Sequence, residues 1–301
     1  MAPPDRVGSG GAGPGSVGEL TELLRTDGYL ADRGLATAVF VAWSLGRPLL
    51  LEGEVGVGKT EVAKALATVS GRRLIRLQCY EGIDTNQALY EWDYARQMLQ
   101  IRALSEHQVA DEAAVDALFG PKFLLERPLL DAVRAGEDAV LLVDEVDRAD
   151  DEFEAFLLEL LSDFQITIPE IGTIRAATPP LVILTSNRTR ELHDALKRRC
   201  LYHWVGYPGP DREVEIVLAR LPGIAEAMAR KVVAAVNRLR DLDLDKPPGV
   251  AETIDWVQTL TVLGAQDLDP ATVEDSLGAV IKVRDDLDVV REHLDELAVD
   301  G

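Results

Sequence analysis

A glycine-rich octapeptide, GEVGVGKT at residues 53–60, constrains this chain more than any other feature. It matches the pattern G-x-x-x-x-G-K-[ST], in which glycines let backbone N–H groups turn around phosphate oxygens without a Cβ clash. An apolar run precedes it at 48–52 and a helical pattern follows at 60–69, so the segment predicts a strand, a phosphate loop and a helix N-terminus. The predicted nucleotide-binding residues are Gly53, Glu54, Val55, Gly56, Val57, Gly58, Lys59 and Thr60.

Within this loop, two side chains have specific chemistry. The Lys59 ammonium is expected to reach the β- and γ-phosphates, and the Thr60 hydroxyl is expected to bind Mg²⁺. A second apolar run, residues 139–143, ends in the carboxylates of Asp144 and Glu145. Because open α/β sheets bind ligands at the carboxyl ends of their strands, we expect Asp144 to bind the nucleotide and its magnesium ion. Glu145 is expected to polarise or deprotonate the attacking water, so the pair predicts hydrolysis of ATP.

Polar and basic residues follow further along the chain. Asn187 comes after the apolar run 181–185, where it either hydrogen-bonds the attacking water or the γ-phosphate, or is an ordinary turn asparagine. Arg198 and Arg199 lie in a basic cluster just before the next predicted strand. One of these arginines either stabilises transition-state charge in a neighbouring subunit, or belongs to a solvated basic turn, or forms a salt bridge with one of the chain's many acidic residues.

The order of the predicted elements indicates the fold class. Strands alternate with helices up to residue 208, which predicts an α/β protein: a parallel five-stranded sheet with helices on both faces. After the Pro-Gly-Pro turn at 208–210 only helical patterns remain, which predicts a smaller all-α domain. The predicted helices there, each with an apolar stripe, are 211–221, 225–240, 250–263 and 272–298, and the predicted domains are a disordered tail at 1–17, the α/β domain at 18–208 and the helical domain at 209–301.

Charge and cysteine content narrow the function classes. The formal net charge is −21, which disfavours nucleic acid as the main partner. The two cysteines, Cys79 and Cys200, do not make a disulfide framework, and no run of 18 apolar residues occurs. The sequence therefore predicts a cytoplasmic protein without a membrane segment.

The order phosphate loop, Asp-Glu strand, asparagine strand, arginine cluster and helical domain resembles that of the AAA+ ATPases. Finer features are similar to the MoxR branch: the stretch DEVDRAD at 144–150, and a predicted hairpin at 165–174 where that branch inserts one. Three segments, LQCYEG at 77–82, ALYEWDY at 88–94 and FLLERPL at 123–129, resemble the CoxD-like subgroup. Members of that subgroup are accessory chaperones for molybdenum hydroxylases such as carbon monoxide dehydrogenase.

The resemblance implies a helical lid, a homo-hexamer and a partner protein with a von Willebrand factor A domain. It also implies roles for single residues: Asn187 as the first sensor, and Arg199, or else Arg198, as the arginine finger. Glu252 occupies the position where many AAA+ proteins have a sensor arginine, which leaves the lid's response to hydrolysis open. ATP-driven remodelling or metal-cofactor maturation of a client protein is the function expected. The alternatives are a nucleotide-gated scaffold with little turnover and a nucleic-acid motor or loader.

Overall fold

The computed structural model describes residues 13–106 and 117–297, which form two compact units. The first unit contains residues 13–23, 32–52, 63–106 and 117–203, and the second contains residues 24–31, 53–62 and 204–297. Of the tail predicted at 1–17, residues 1–12 lie outside the described residues. The predicted domain boundary between residues 208 and 209 stays a prediction.

The strands of the described residues are β1 (Leu49–Gly53), β2 (Arg73–Gln78), β3 (Tyr90–Trp92), β4 (Leu124–Glu126), β5 (Ala139–Asp144), β6 (Gln165–Ile168), β7 (Gly172–Arg175), β8 (Leu181–Ser186) and β9 (Leu201–Val205). Five of them form one sheet in the order β2-β5-β8-β1-β9, and the pairs β2·β5, β5·β8 and β8·β1 are parallel. All residues of β1, β5 and β8 are buried, so both faces of the sheet are covered. The predicted fold class is confirmed.

Eight α-helices of the described residues precede β9: α1 (Val17–Thr26), α2 (Arg33–Leu45), α3 (Lys59–Ser70), α4 (Thr85–Ala88), α5 (Tyr94–Glu106), α6 (Pro128–Ala135), α7 (Asp151–Asp163) and α8 (Asp194–Arg199). Local chemistry sets several of their starts. The Asp32 carboxylate accepts the Leu35 N–H at 2.8 Å at the start of α2, and Asp150 does the same for Phe153 at 2.9 Å at the start of α7. The apolar faces of α6 and α7 pack into the same core as β5 and β8.

The second unit has its own core around helices α9 (Pro210–Arg220), α10 (Glu226–Asp241), α11 (Val250–Leu263), α12 (Pro270–Val280), α13 (Arg284–Arg291) and α14 (Leu294–Leu297). Trp256 is fully buried there, and its indole N–H donates to the Ser276 hydroxyl at 2.7 Å. The single helix predicted over 272–298 is wrong, because Ile281 and Val283 adopt extended backbone angles and end α12. Both are β-branched, and Ile281 is buried, so packing favours the extended conformation.

Two small antiparallel sheets accompany the central one. β6 and β7 form the hairpin predicted over 165–174. β3 pairs with β4, and the helix α6 begins after this strand, at Pro128. Among the described helices, none combines the length and the apolar character needed to cross a membrane.

Candidate active site

The phosphate loop runs from the end of β1 to the first turn of α3. A Cβ on Gly53 would lie 2.0 Å from the carbonyl oxygen of Val205, so this position has no room for a side chain. Gly56 and Gly58 have φ angles of 77° and 90°, in the left-handed region that favours glycine. The glycines of the sequence pattern are therefore the residues that this backbone requires.

Lys59 begins α3 with its side chain folded against the loop. The residue is 6% exposed, and its Nζ donates to the carbonyl oxygens of Gly53 at 2.8 Å and Glu54 at 2.6 Å. Thr60 follows it on the same helical turn and is half-buried. The ammonium is thus held beside the backbone that is expected to bind phosphate.

The loop packs closely against the start of α11. A Cβ on Gly249 would lie 2.7 Å from Gly56 Cα and 2.7 Å from the Val55 carbonyl oxygen, and the Ala251 N–H donates to the Gly56 carbonyl at 3.3 Å. Glu252 accepts the Gly249 N–H at 2.9 Å. The residue at the expected sensor position therefore caps its own helix next to the loop.

A buried ion pair fixes the segment that leads into α11. Glu213 is fully buried and receives Arg240 Nη1 and Nη2 at 2.7 and 2.8 Å, while Arg240 Nε donates to the Pro248 carbonyl at 2.8 Å. Thr253 of α11 donates to Glu213 Oε1 at 2.6 Å, and the guanidinium lies 4.3 Å from the centre of the Tyr207 ring. These contacts join α9 and α10 to the start of α11, and they satisfy both charged groups of the buried pair.

A mainly apolar cavity of about 130 Å³ opens beside the loop within the second unit. Its walls come from the segment before α2, the loop itself, α9 and α11. Its lining includes Tyr29, Leu30, Val57, Ile216, Val250 and Ile254, with Glu61 and Arg220 as charged members. The sequence did not predict this cavity, because its lining residues come from four segments that are far apart along the chain.

The carboxylate of Asp144 lies at the end of β5, buried in the first unit. The Thr185 hydroxyl donates to Asp144 Oδ1 at 2.5 Å and receives the Glu145 N–H at 2.9 Å. Arg76 of β2 donates to Asp144 Oδ2 through Nη2 at 2.6 Å and through Nε at 3.1 Å. Glu145 itself has φ of 54°, unusual for a residue with a side chain, and such strain concentrates at functional sites.

Three side chains hold the Glu145 carboxylate. Gln78 Nε2 and Arg148 Nη1 donate to Oε2 at 3.1 and 3.2 Å, and Asn187 Nδ2 donates to Oε1 at 3.4 Å. The structure therefore brings Glu145 and Asn187 together, at the carboxyl edge of neighbouring strands. Gln78 and Arg148 lie within the segments 77–82 and 144–150 that resemble known families, but the sequence did not predict their contact with Glu145.

Asp147 ties the turn after β5 to the turn after β8. Its Oδ2 accepts the backbone N–H groups of Asn187 at 3.2 Å and Thr189 at 2.8 Å, and also the Thr189 hydroxyl at 2.8 Å. Its Oδ1 is buried and has no hydrogen-bond partner among the described residues. Asp147 thus fixes the backbone on which Asn187 stands.

A buried thiol adjoins these carboxylates. Burial raises the pKa of Cys79 to about 12, with a further contribution from the negative charges of Asp144, Asp147 and Glu145. The thiol is therefore neutral at physiological pH and has no nucleophilic role here.

The two predicted arginines lie near the C-terminal end of α7. Arg199 donates from Nε to the Ser162 hydroxyl at 2.5 Å, whereas Arg198 is exposed and its guanidinium has no hydrogen bond within the described residues. Arg47 Nη2 donates to the carbonyl oxygens of Arg198 and Arg199, both at 3.2 Å. Together with Arg175 of β7 they line a concavity of about 850 Å³.

Comparisons with known proteins bear on this architecture. The model of the AAA domain, dynein-related subfamily, matches residues 48–200. Protein NorQ of Paracoccus denitrificans is 27% identical over 71% of this chain and 73% of its own length. Uncharacterized protein SH1500 of Staphylococcus haemolyticus is 22% identical over 85% of this chain and 94% of its own. Among solved structures, a mutant of RuvB from Thermotoga maritima is similar with 17% identity and a TM-score of 0.49, covering 91% of this chain and 75% of that one.

The parallel sheet, the phosphate loop at the end of β1 and the match to the AAA domain model identify a P-loop ATPase, an enzyme that hydrolyses ATP to ADP and phosphate. More narrowly, the chain belongs to the AAA domain family, dynein-related subfamily, whose model covers half of its length.

Proposed function

We propose that this ATPase is a MoxR-type AAA+ protein of the CoxD-like subgroup that uses ATP hydrolysis to remodel a client protein or to assist its metal-cofactor maturation. The observation that carries the catalytic part is the contact between Glu145 and Asn187 at the carboxyl edge of the sheet. Residues 53–60 bind the phosphates of ATP. Glu145 accepts a proton from the attacking water, and Asn187 orients that water towards the γ-phosphate.

Thr60 and Asp144 hold the magnesium ion in this proposal. A hydroxyl and a carboxylate are the hard oxygen donors that Mg²⁺ prefers, and Mg²⁺ usually takes only one or two protein ligands beside phosphates and water. The bound ion neutralises charge on the phosphates.

The cavity beside the loop is the proposed adenine site. Its apolar walls include Tyr29, Ile216 and Ile254, and it adjoins loop residues Gly56 and Gly58. A flat aromatic base bound there would lie next to the phosphate loop within the same compact unit.

In this proposal the homo-hexamer forms through contacts between copies, in which the start of α7 in one copy meets the end of α7 in the next. Its start bears the carboxylates of Asp150, Asp151 and Glu152, which line a concavity of about 910 Å³. Its end lies beside the arginine-lined concavity, roughly 20 Å away along the 13-residue helix. Opposite charges at opposite ends favour head-to-tail packing of copies, and a head-to-tail interface closes into a ring when its rotation permits. Arg199, or else Arg198, would then act on a neighbour's γ-phosphate.

The client surface in this proposal lies on two elements, helix α5 and the hairpin β6–β7. Helix α5 exposes Tyr94, Met98 and Leu99, which are 63%, 54% and 67% accessible. The hairpin β6–β7 is the second candidate. The resemblance to the CoxD-like subgroup supports a molybdenum hydroxylase as client and a von Willebrand factor A domain protein as partner. The similarity to protein NorQ agrees with the MoxR branch.

Reconstitution tests this proposal. Cofactor-deficient carbon monoxide dehydrogenase is incubated with the von Willebrand factor A partner, ATP and either the parent chain or Glu145→Gln. The proposal predicts recovery of dehydrogenase activity with the parent only. Equal recovery with Glu145→Gln, or none with the parent under conditions where it hydrolyses ATP, would exclude this client class.

Two alternatives have different signatures. A nucleotide-gated scaffold would bind ATP with almost no phosphate release, and the Glu252 cap in place of a sensor arginine is the observation in its favour. A nucleic-acid motor would bind DNA at low ionic strength with a steep salt dependence, which the net charge of −21 opposes.

A further inference from the structure

Arg76 stands on β2 beside the two carboxylates that end β5. In the parallel register Gln78 lies opposite Asp144 and Arg76 lies opposite Leu142, so Arg76 and Gln78 share one face of β2. The Arg76 guanidinium donates to Asp144 Oδ2 and also, through Nη2, to Gln78 Oε1, while Gln78 Nε2 donates to Glu145 Oε2. One guanidinium is thereby linked to both carboxylates.

The burial of this ion pair is unequal. The Asp144 side chain is 4% exposed, whereas the Arg76 side chain is 48% exposed. Asp144 is therefore a buried anion whose Oδ2 is bound by a half-exposed cation, while its Oδ1 accepts the Thr185 hydroxyl. A carboxylate offers about four lone-pair positions, so one carboxylate can be shared between a guanidinium and a metal ion.

We propose that Arg76 is a positioning residue that shares the Asp144 carboxylate with the magnesium ion and sets how much Mg²⁺ the site requires. The proposal rests on the proposed role of Asp144 at the metal site. Arg76 holds the carboxylate in one orientation, and its positive charge beside the same oxygen atoms opposes a divalent cation. A unit charge and a divalent ion about 5 Å apart in a water-like medium change an affinity by roughly tenfold, and salt reduces the effect.

The test uses Arg76→Gln, which removes the charge, Arg76→Lys, which keeps it, and Arg73→Gln as a matched control. Arg73 is an arginine of the same strand. Its Nη2 lies 2.6 Å from Asp131 Oδ1, and this pair is away from the carboxylates of the site. All are made in a Glu145→Gln background, so that ATP is bound but not consumed. Thermal unfolding with ATP is followed while Mg²⁺ is titrated, which gives the Mg²⁺ concentration at half-stabilisation without any turnover.

The proposal predicts that Arg76→Gln lowers this concentration roughly tenfold, while Arg76→Lys and Arg73→Gln stay within about twofold of the background. Should Arg76→Gln fail to fold, Arg76→Met, which keeps the aliphatic stem, takes its place. The inference would be overturned if the Mg²⁺ concentration at half-stabilisation were equal in Arg76→Gln and Arg73→Gln, or if it were higher in Arg76→Gln. Failure of ATP to stabilise the background at any Mg²⁺ concentration would instead refute nucleotide binding itself.

Discussion

Gly249 offers a sharp test of how the phosphate loop is supported. Its φ and ψ of −85° and −175° suit any residue, so an alanine there brings no backbone strain. The added Cβ would nevertheless lie 2.7 Å from two backbone atoms, Gly56 Cα and the Val55 carbonyl oxygen, where ordinary contact begins at 3.4 Å. The loop or the start of α11 must move by about 0.7 Å, the difference between those two distances. Overpacking of this kind costs about 1–3 kcal/mol in the free energy of unfolding.

Gly209→Ala is the matched control. Gly209 also precedes a helix in extended conformation, with φ and ψ of −63° and 156°, and no heavy atom of the described residues lies within 4 Å of its added Cβ. Urea denaturation and calorimetry with ATP measure both variants. We expect the free energy of unfolding of Gly249→Ala to fall by about 1–3 kcal/mol and its ATP affinity to fall at least about fivefold. The free energy of unfolding of Gly209→Ala should stay within about 0.5 kcal/mol of the parent. Equal stability and affinity of the two variants would refute the close packing of loop and helix.

Other changes have equally definite outcomes. Lys59→Ala should abolish ATP binding in calorimetry, because it removes the ammonium expected at the phosphates, and unchanged affinity would contradict the assignment. Arg199→Ala should keep ATP affinity and lower turnover at least about tenfold. If Arg198→Ala lowers turnover and Arg199→Ala does not, Arg198 is the arginine finger instead. The thiols of Cys79 and Cys200, whose pKa values burial raises to about 12, should resist a thiolate reagent at pH 8 until the chain unfolds. These thiols have a lower pKa in the unfolded chain than in the folded one, so the unfolded chain loses their protons first. Their contribution to the free energy of unfolding is therefore present below pH 9.0 and is lost as pH rises towards about 12. Urea denaturation across that pH range measures this loss.

The sheet and its ligand edge were predictable from short local patterns. The apolar runs that form β1, β5 and β8 are buried on both faces, so their hydrophobicity is continuous in the sequence. Turn chemistry predicted the hairpin β6–β7. Asp144, which ends β5, and Asn187, which follows β8, could be placed at one edge because parallel strands share their carboxyl ends.

Features that depend on tertiary contacts were not visible in the same way. Arg76 and Gln78 lie in an alternating strand pattern, and only the pairing of β2 with β5 reveals what they contact. The break at Ile281 follows from burial against the helical core rather than from a proline or glycine. In the sequence, Glu252 is only a departure from a family pattern, and the structure shows a local reason for it, the cap on Gly249.

Steady-state phosphate release from the parent chain and from Glu145→Gln tests directly whether this chain hydrolyses ATP with Glu145 as the residue that activates the water. Glu159→Gln, a change to an exposed carboxylate on α7, serves as the control. We expect sustained ATP hydrolysis by the parent and by Glu159→Gln, and a loss of at least about a hundredfold in Glu145→Gln while its ATP affinity is kept. Turnover by Glu145→Gln at the parental rate, or no phosphate release from the parent, would contradict this expectation.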